Sequence, residues 1–367
     1  MTIRLRNLAR TGLALSLAAS RPTLGQAQGP LTRLDTLAVS SAALELSWVG
    51  DIAVDSRGNT YVADGPTHSV LVLAPDLSLQ RRVGRHGAGP GEFVNVSSVN
   101  LLGDDSLQTY DSQLARITVF APTTFAPVRT ISLTADGGGH PLAVRARAGP
   151  LWLGLFQQPF VAGRPAESDR LRLTTIRAYT PTGAARALSF TTTRGPDAMV
   201  VRDGDRVMAG TRPFPGGCSV LLAGGAIFVV DRDSGLVDVR RADGALLTRL
   251  ALPAQHPAID PGERRDSIAD TPEAFHALLE KEVPHRWPAV AGVAMDAHGS
   301  VWVGLRQAKA DWVMWREVLP DGCLSPRALS LPRAFDLRYV SAARLLVLSY
   351  DEDDVPRILA LAIHPNS

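Results

Sequence analysis

The chain has 367 residues, 45% of them hydrophobic and 20% charged, which is enough apolar mass to bury a large core and excludes a mostly disordered chain. With 32 glycines and 26 prolines it suits a fold with many turns better than a bundle of long helices. The formal net charge is only +2, and every basic residue except Lys281 and Lys309 is arginine, which reads as composition rather than recognition chemistry.

Arg4, Arg6 and Arg10 precede an apolar run from Thr11 to Ser20, and Gly25, Gln26 and Ala27 follow with the small-x-small spacing of a cleavage site. This predicts a signal peptide over residues 1–27 and a mature domain over 28–367, periplasmic or secreted. The run is about half the length of a bilayer-spanning helix, so no membrane anchor is expected. Removing residues 1–27 takes away Arg4, Arg6, Arg10 and Arg21 and no acid, leaving 34 basic against 36 acidic residues. Without a positive surplus, the chain lacks the electrostatic footprint of a nucleic-acid binder.

Thr32 to Val39 (TRLDTLAV) has the length and alternation of a strand. Beyond it one phrase recurs: a few apolar residues, a turn with Asp, Gly or Ser, then a β-rich strand that often ends in Asp. Its copies are Ile52 to Asp64, Asn100 to Asp111, Val144 to Gly154, Leu221 to Asp231, Val293 to Gly304 and Tyr339 to Tyr350. Most are followed by a third strand and a polar turn, as in SVLVLAPDLSLQRRV. An apolar inner hairpin followed by a more polar outer one is the unit of a propeller blade, whose inner strands are covered on both faces. Ala198 to Gly210 is a further hairpin, too close to the fourth copy to be a unit, and reads as an insertion. The last unit supplies only three strands before the chain ends, so TRLDTLAV is expected to be its fourth, which hides the strand edges. The expected fold is an all-β six-bladed propeller closed by an N-terminal strand that completes the last blade. A short helical insertion is expected at residues 260–287.

Gly84 to Phe93 (GRHGAGPGEF) resembles the loop that joins blades in NHL-repeat propellers, and Tyr61 to Leu73 (YVADGPTHSVLVL) resembles that family's strand, Asp-containing turn and next strand. The resemblance runs from Gly50 to Phe120. It implies membership among the exported six-bladed propellers of bacteria, which share a fold rather than a reaction. NHL-like lyases acting on amidated-peptide precursors use metal-bound histidines, and similar lactonases use acidic and Asn ligands around the channel. No motif here maps onto either set.

In a four-stranded blade the loops after the second and fourth strands open on one face. The long segments Leu155 to Arg170, Thr191 to Gly217, Pro253 to Pro288 and Leu305 to Asp311 all fall there, and such loops are often binding elements. Within the third, Thr271 is expected to cap a helix with Pro272 at its first position and an apolar stripe of Ala274, Phe275, Leu278 and Leu279. That helix reads either as a lid over the channel or as a patch on its rim. Asp64, Asp111 and Asp231 end second strands on this face, where such carboxylates either shape turns or join a hard-cation site. Of eight scattered histidines, His86, His140, His256 and His285 reach the same face, and none forms an HExxH pair. His285, Arg286 and Trp287, with Arg306, Trp312 and Trp315, make a basic and aromatic cluster suited to an anion, sugar or peptide. Trp302, with Trp312 or Trp315, is expected in the blade core. Cys218 and Cys323 fall on opposite faces in this register and are expected as free thiols.

The sequence thus predicts a monomeric binding or interaction module, without a cofactor, taking a protein, peptide or carbohydrate on its long-loop face. Its expected contacts are Asp64, Asp111, Asp231, His256, His285, Arg286 and Arg306. The alternative is a hydrolase or lyase, lactonase-like or amidoglycolate-lyase-like, with a divalent cation in the channel.

Overall fold

The computed structural model describes residues 33–364 apart from 45, 47, 134–141, 149–150, 159–172, 187, 189–191, 204–205, 254, 308–310, 343, 352 and 354. The signal-peptide segment, His140 and most of the expected Leu155 to Arg170 loop lie outside these residues.

After β1 (Arg33–Val39) the chain builds antiparallel four-stranded meanders. The first is β2 (Asp51–Val54), β3 (Thr60–Asp64), β4 (Ser69–Leu73) and β5 (Leu79–Val83). The second is β6 (Val96–Leu101), β7 (Leu107–Asp111), β8 (Arg116–Phe120) and β9 (Pro127–Ser132). The third is β10 (Ala143–Ala148), β11 (Leu151–Gln157), β12 (Leu173–Tyr179) and β13 (Ala185–Arg186), with β14 (Thr192–Arg194) also paired to β12. A separate hairpin, β15 (Ala198–Asp203) and β16 (Arg206–Thr211), precedes β17 (Cys218–Ala223), β18 (Ala226–Asp231), β19 (Leu236–Arg241) and β20 (Leu246–Ala251). Two short helices follow, α1 (Pro261–Ala269) and α2 (His276–Glu282).

The remaining strands, β21 (Val290–Asp296), β22 (Val301–Arg306), β23 (Trp312–Val318), β24 (Leu324–Pro332), β25 (Asp336–Val340), β26 (Arg344–Tyr350) and β27 (Pro356–His364), share one eight-stranded sheet with β1. That sheet is two antiparallel runs joined by a short parallel pairing of Met295 with Tyr339 and Asp296 with Val340. The fold is all-β with a propeller-like arrangement.

Burial explains why these segments are strands. β3, β4 and β7 are buried at every position, whereas β5 and β9 are exposed along most of their length. Neighbouring sheets stack on both faces of the second and third strands, so these read as apolar runs, and the outermost strand tolerates Arg81, Arg82 and Arg129. Two of the turns between first and second strands repeat one device. Asp55 Oδ1 accepts the amides of Arg57 and Asn59, and Asp296 Oδ1 accepts those of His298 and Ser300. Gly58 and Gly299 complete these turns at φ 86° and 82°, where a Cβ is disfavoured. A Cβ on Gly299 would also meet Gly224 of the preceding meander at 2.4 Å.

The N-terminal strand joins the last sheet. β1 pairs antiparallel with β27, Arg33 opposite His364 through Val39 opposite Leu359. Ser40 then exchanges hydrogen bonds with the Ile358 backbone. One apolar cluster joins the last strands to the first: Leu346, Leu348 and Ile358 pack with Ile52, Val62 and Leu71. Arg344 donates to the carbonyls of Gly58 and Pro75, stitching the same seam at the short-turn face.

The recurring hairpins all form, and Ala198 to Thr211 pairs only with itself as an insertion. The insertion helices differ from expectation. Asp260 caps α1 through the amides of Gly262 and Glu263, with Pro261 in the first turn. Thr271 does not cap a helix; its hydroxyl donates to the Ile268 carbonyl and closes α1, and Pro272 stands at the start of the Glu273–Phe275 turn that leads into α2. Phe275 and Leu279 are buried as the stripe requires. Both cysteines are free. Among the described residues no helix is long and apolar enough to cross a membrane.

Candidate functional site

The strand-ending aspartates occupy equivalent places and behave differently. Asp111 is buried, and its two oxygens accept four amides, those of Val94 and Asn95 from the preceding linker and those of Gln113 and Leu114 from its own turn. Asp231 accepts the amides of Asp233 and Ser234. Asp64 has the same turn geometry but carries Pro66 where Asp111 has Gln113, and a proline offers no N–H. Its carboxylate has no exposed surface, and neither oxygen accepts a well-formed hydrogen bond. Burial pushes its pKa up, with the Thr67 hydroxyl and amide, then Arg82 and His68, opposing. The expected convergence of Asp64, Asp111 and Asp231 on one ligand is therefore not what the side chains do: two shape turns and the third is sealed.

The linker from Gly84 to Phe93 is also structural. Glu92 accepts from Arg85 and the Gly89 amide, Arg116 donates to the carbonyls of Ala88 and Glu92, and Phe93 is buried. His68 and His86 meet edge-on at 4.5 Å beside it.

The other predicted residues gather at the insertion. Its two ends are tied as a neck: Ile259 donates to the His285 carbonyl and Trp287 to the Pro257 carbonyl, and Arg286 Nη1 donates to the His256 carbonyl at 2.9 Å. His256 Nδ1 lies 3.4 Å from the Trp287 carbonyl. His285 and Arg286 are exposed, so His256, His285 and Arg286 form a staple at the rim.

Above the neck, α1 and α2 pack on the β15–β16 hairpin in a core of their own, with Phe275, Leu279 and Val283 against Met199, Phe214 and Trp287. The insertion is thus a cap packed on the β15–β16 hairpin. Trp287 is its keystone. Phe214 meets it edge-on at 4.5 Å, and the guanidinium carbons of Arg306 and Arg333 lie 3.8 and 5.1 Å from its ring centre. Arg333 also holds Glu263 of α1 at 2.7 Å, which anchors the helix to the ring. Burial outweighs Arg333 and Arg306 at Glu263 and leaves its pKa raised.

Arg306, at the end of β22, differs from Arg333. It has no ion pair among the described residues, and its Nε–H is buried without a partner. Burial first, then the nearby Arg232 and Arg333, lower its pKa to about 9, with Glu263 opposing. Arg232, at the end of β18, has its own pKa lowered by burial. Its Nη2 donates to the Ala291 carbonyl, while its Nε–H is also buried without a partner. The acids that favour its charge, Asp233, Asp336 and Asp197, are already paired, Asp233 and Asp197 with Arg194 and Asp336 with Arg338. Trp312 is half-buried, and Trp302 and Trp315 fill the core. Of the predicted contacts the site keeps Arg306, and it adds Arg232, Arg333 and Glu263.

The central channel holds a cavity of about 400 Å³ toward the opposite, short-turn mouth, among β2, β6, β17, β21 and β25. Its ionic groups are tied to the framework: Asp51 accepts the amides of Ile52 and Val99, Asp296 Oδ1 those of His298 and Ser300, and Arg338 pairs with Asp336, while Asp296 Oδ2 and the Arg338 Nε–H are buried without partners. Among the described residues no three His, Cys, Asp or Glu side chains are grouped to hold a metal ion. Among the described residues the divalent cation of the alternative reading therefore finds no fitting ligand set there.

No family model and no curated protein matches the chain in sequence. Solved structures match its fold. A candidate exported protein from Bacteroides fragilis NCTC 9343 aligns with a TM-score of 0.52 at 10% identity, over 91% of this chain and 96% of that one. A member of the DUF4221 family from Bacteroides vulgatus aligns with a TM-score of 0.51 at 8% identity, over 92% and 96%. Virginiamycin B lyase from Staphylococcus aureus aligns at 0.42 and 11% identity, over 90% and 99%. At these identities the likeness is one of fold.

Proposed function

We propose that this chain is an exported six-bladed propeller that serves as a binding module through its long-loop face, with the insertion as a built-in cap. The blade count is supported by the meanders β2–β5, β6–β9, β10–β13, β17–β20, β21–β24 and β25–β27 with β1, and by the cluster that joins the last to the first. Export is supported by the leader ahead of β1, and kinship with NHL-repeat propellers by the linker from Gly84 to Phe93.

The observation that carries the binding reading is Arg306, a largely buried cation on the floor of the cap with no carboxylate partner among the described residues. Burying a charge is costly unless something pairs with it, so an unpaired buried cation marks a place where a ligand completes the structure. The hydrolase or lyase reading would use the same face.

Metal analysis of the exported protein, with a turnover screen over lactone, amide and peptide substrates, separates the two. The binding reading expects neither stoichiometric metal nor turnover. A divalent cation bound at one per chain, together with turnover, contradicts it.

A further inference from the structure

We propose that Arg306, flanked by Arg333 and Arg232 and seated on Trp287, binds a single carboxylate group of the ligand. The inference rests on the long-loop face being the binding face, and it names the chemistry of that face.

Three observations carry it. The guanidinium carbon of Arg306 lies over the Trp287 ring, 3.8 Å from its centre, and a guanidinium fork held by an aromatic ring suits a planar acceptor. Its Nε–H is buried without a partner, and the residue as a whole stays partly exposed. Next to it the protein satisfies Arg333 with a carboxylate, Glu263 at 2.7 Å, and the same arrangement is missing at Arg306.

The charge of the surroundings selects the ligand. Arg232 and Arg333 favour an anion, while Glu263, already beside Arg306, repels a doubly charged group more than a singly charged one. A monoanionic planar carboxylate fits this balance better than a phosphate dianion. The sign of the linkage agrees. Arginine keeps its proton at physiological pH, so below about 9 the charge stays on the side chain and its burial stands as a cost to the folded state. A bound carboxylate raises the Arg306 pKa again and removes that cost, so the ligand stabilises the fold.

The probes are acetate and acetyl-Ala-Ala-Ala with a free or an amidated C-terminus, titrated into the full exported protein by calorimetry, with thermal melting in parallel. The wild type is expected to bind a carboxylate probe saturably and to melt higher with it. Arg306→Gln should weaken binding at least tenfold and abolish the ligand-dependent rise in Tm, and its unliganded Tm should not fall, which shows that it folds. Arg306→Lys, which keeps the charge without the fork, should bind more weakly than wild type and more tightly than Arg306→Gln. A free-acid peptide that binds tenfold better than acetate, with its amide silent, assigns the carboxylate to a peptide end; equal affinities assign it to a small organic acid.

Arg338→Gln, at the channel cavity, is the control. If Arg338→Gln abolishes acetate binding and Arg306→Gln leaves it intact, the ligand sits at the other mouth and the long-loop reading falls too. If both variants bind like wild type, or the wild type binds neither probe, the Arg306 subsite is wrong and the face assignment stands. Tighter binding of inorganic phosphate than of any carboxylate overturns the proposed ligand class.

Discussion

In the ring the side chains without exposed surface are largely aliphatic or aromatic, such as Trp302, Val62 and Leu345, and a buried carboxylate such as Asp111 meets four amides. Beneath the cap, Arg306 and Arg232 keep buried N–H groups without partners, and burial lowers the pKa of both guanidiniums. The ring also holds buried polar atoms without partners, among them both Asp64 oxygens and the Gln108 amide. The cap floor differs in that the unpartnered groups there belong to neighbouring cations, Arg306 and Arg232, which disfavour each other's charge.

The largest way to break this contrast is in the ring. Trp302 has no exposed surface and packs with Trp315, Leu337 and Leu345. Trp302→Ala should cost about 3–5 kcal/mol in urea unfolding; a loss under ~1 kcal/mol would mean that the sheets do not pack as described.

The paired aspartates sharpen the contrast. Asp111→Ala strands four amides and should cost about 2–3 kcal/mol. Asp64→Asn should cost far less, because neither oxygen accepts a well-formed hydrogen bond. Burial raises the Asp64 pKa in the folded state, so its contribution to stability is full at pH below the unfolded carboxyl value and is lost as pH rises through the folded value. Asp64→Asn should therefore lose less stability than wild type between acidic and neutral pH. A variant that loses as much as wild type would show that the charge is solvated.

The smallest effect lies at the seam. Arg344→Ala removes the bonds to the Gly58 and Pro75 carbonyls and should cost about 1–2 kcal/mol, leaving the pairing of β1 with β27 protected from hydrogen exchange. Loss of that protection would make Arg344, rather than β1, the closure.

Much of the ring was legible because its signals are local. Apolar runs broken by turns with Asp, Gly or Ser mark the inner hairpins, and Thr32 to Val39 has the length of the strand that pairs with β27. The start of α1 was legible in principle too: Asp260, Pro261 and Glu263 are a cap, a first-turn proline and a first-turn acid, but the helix is polar and carries no apolar stripe. Thr271 drew the helix start because it stands before Pro272, a pairing that here ends one helix instead of beginning the next.

Of the proposed site, Arg306 and Trp287 were legible, as members of the basic and aromatic cluster. Arg232, Glu263 and Arg333 come from a strand end, a helix and a loop tens of residues apart, and local patterns carry no trace of that meeting. The exchange of Gln113 for Pro66, which separates Asp64 from Asp111, shows in the sequence only once the two turns are superposed.

Amide hydrogen exchange with and without a saturating carboxylate probe tests the division between ring and cap most directly. The account expects added protection in the neck and cap, residues 256–287, and at the end of β22, with the channel-lining turns of β2 and β21 unchanged. Protection confined to residues 51–54 and 293–299 would place the ligand in the channel cavity and contradict it.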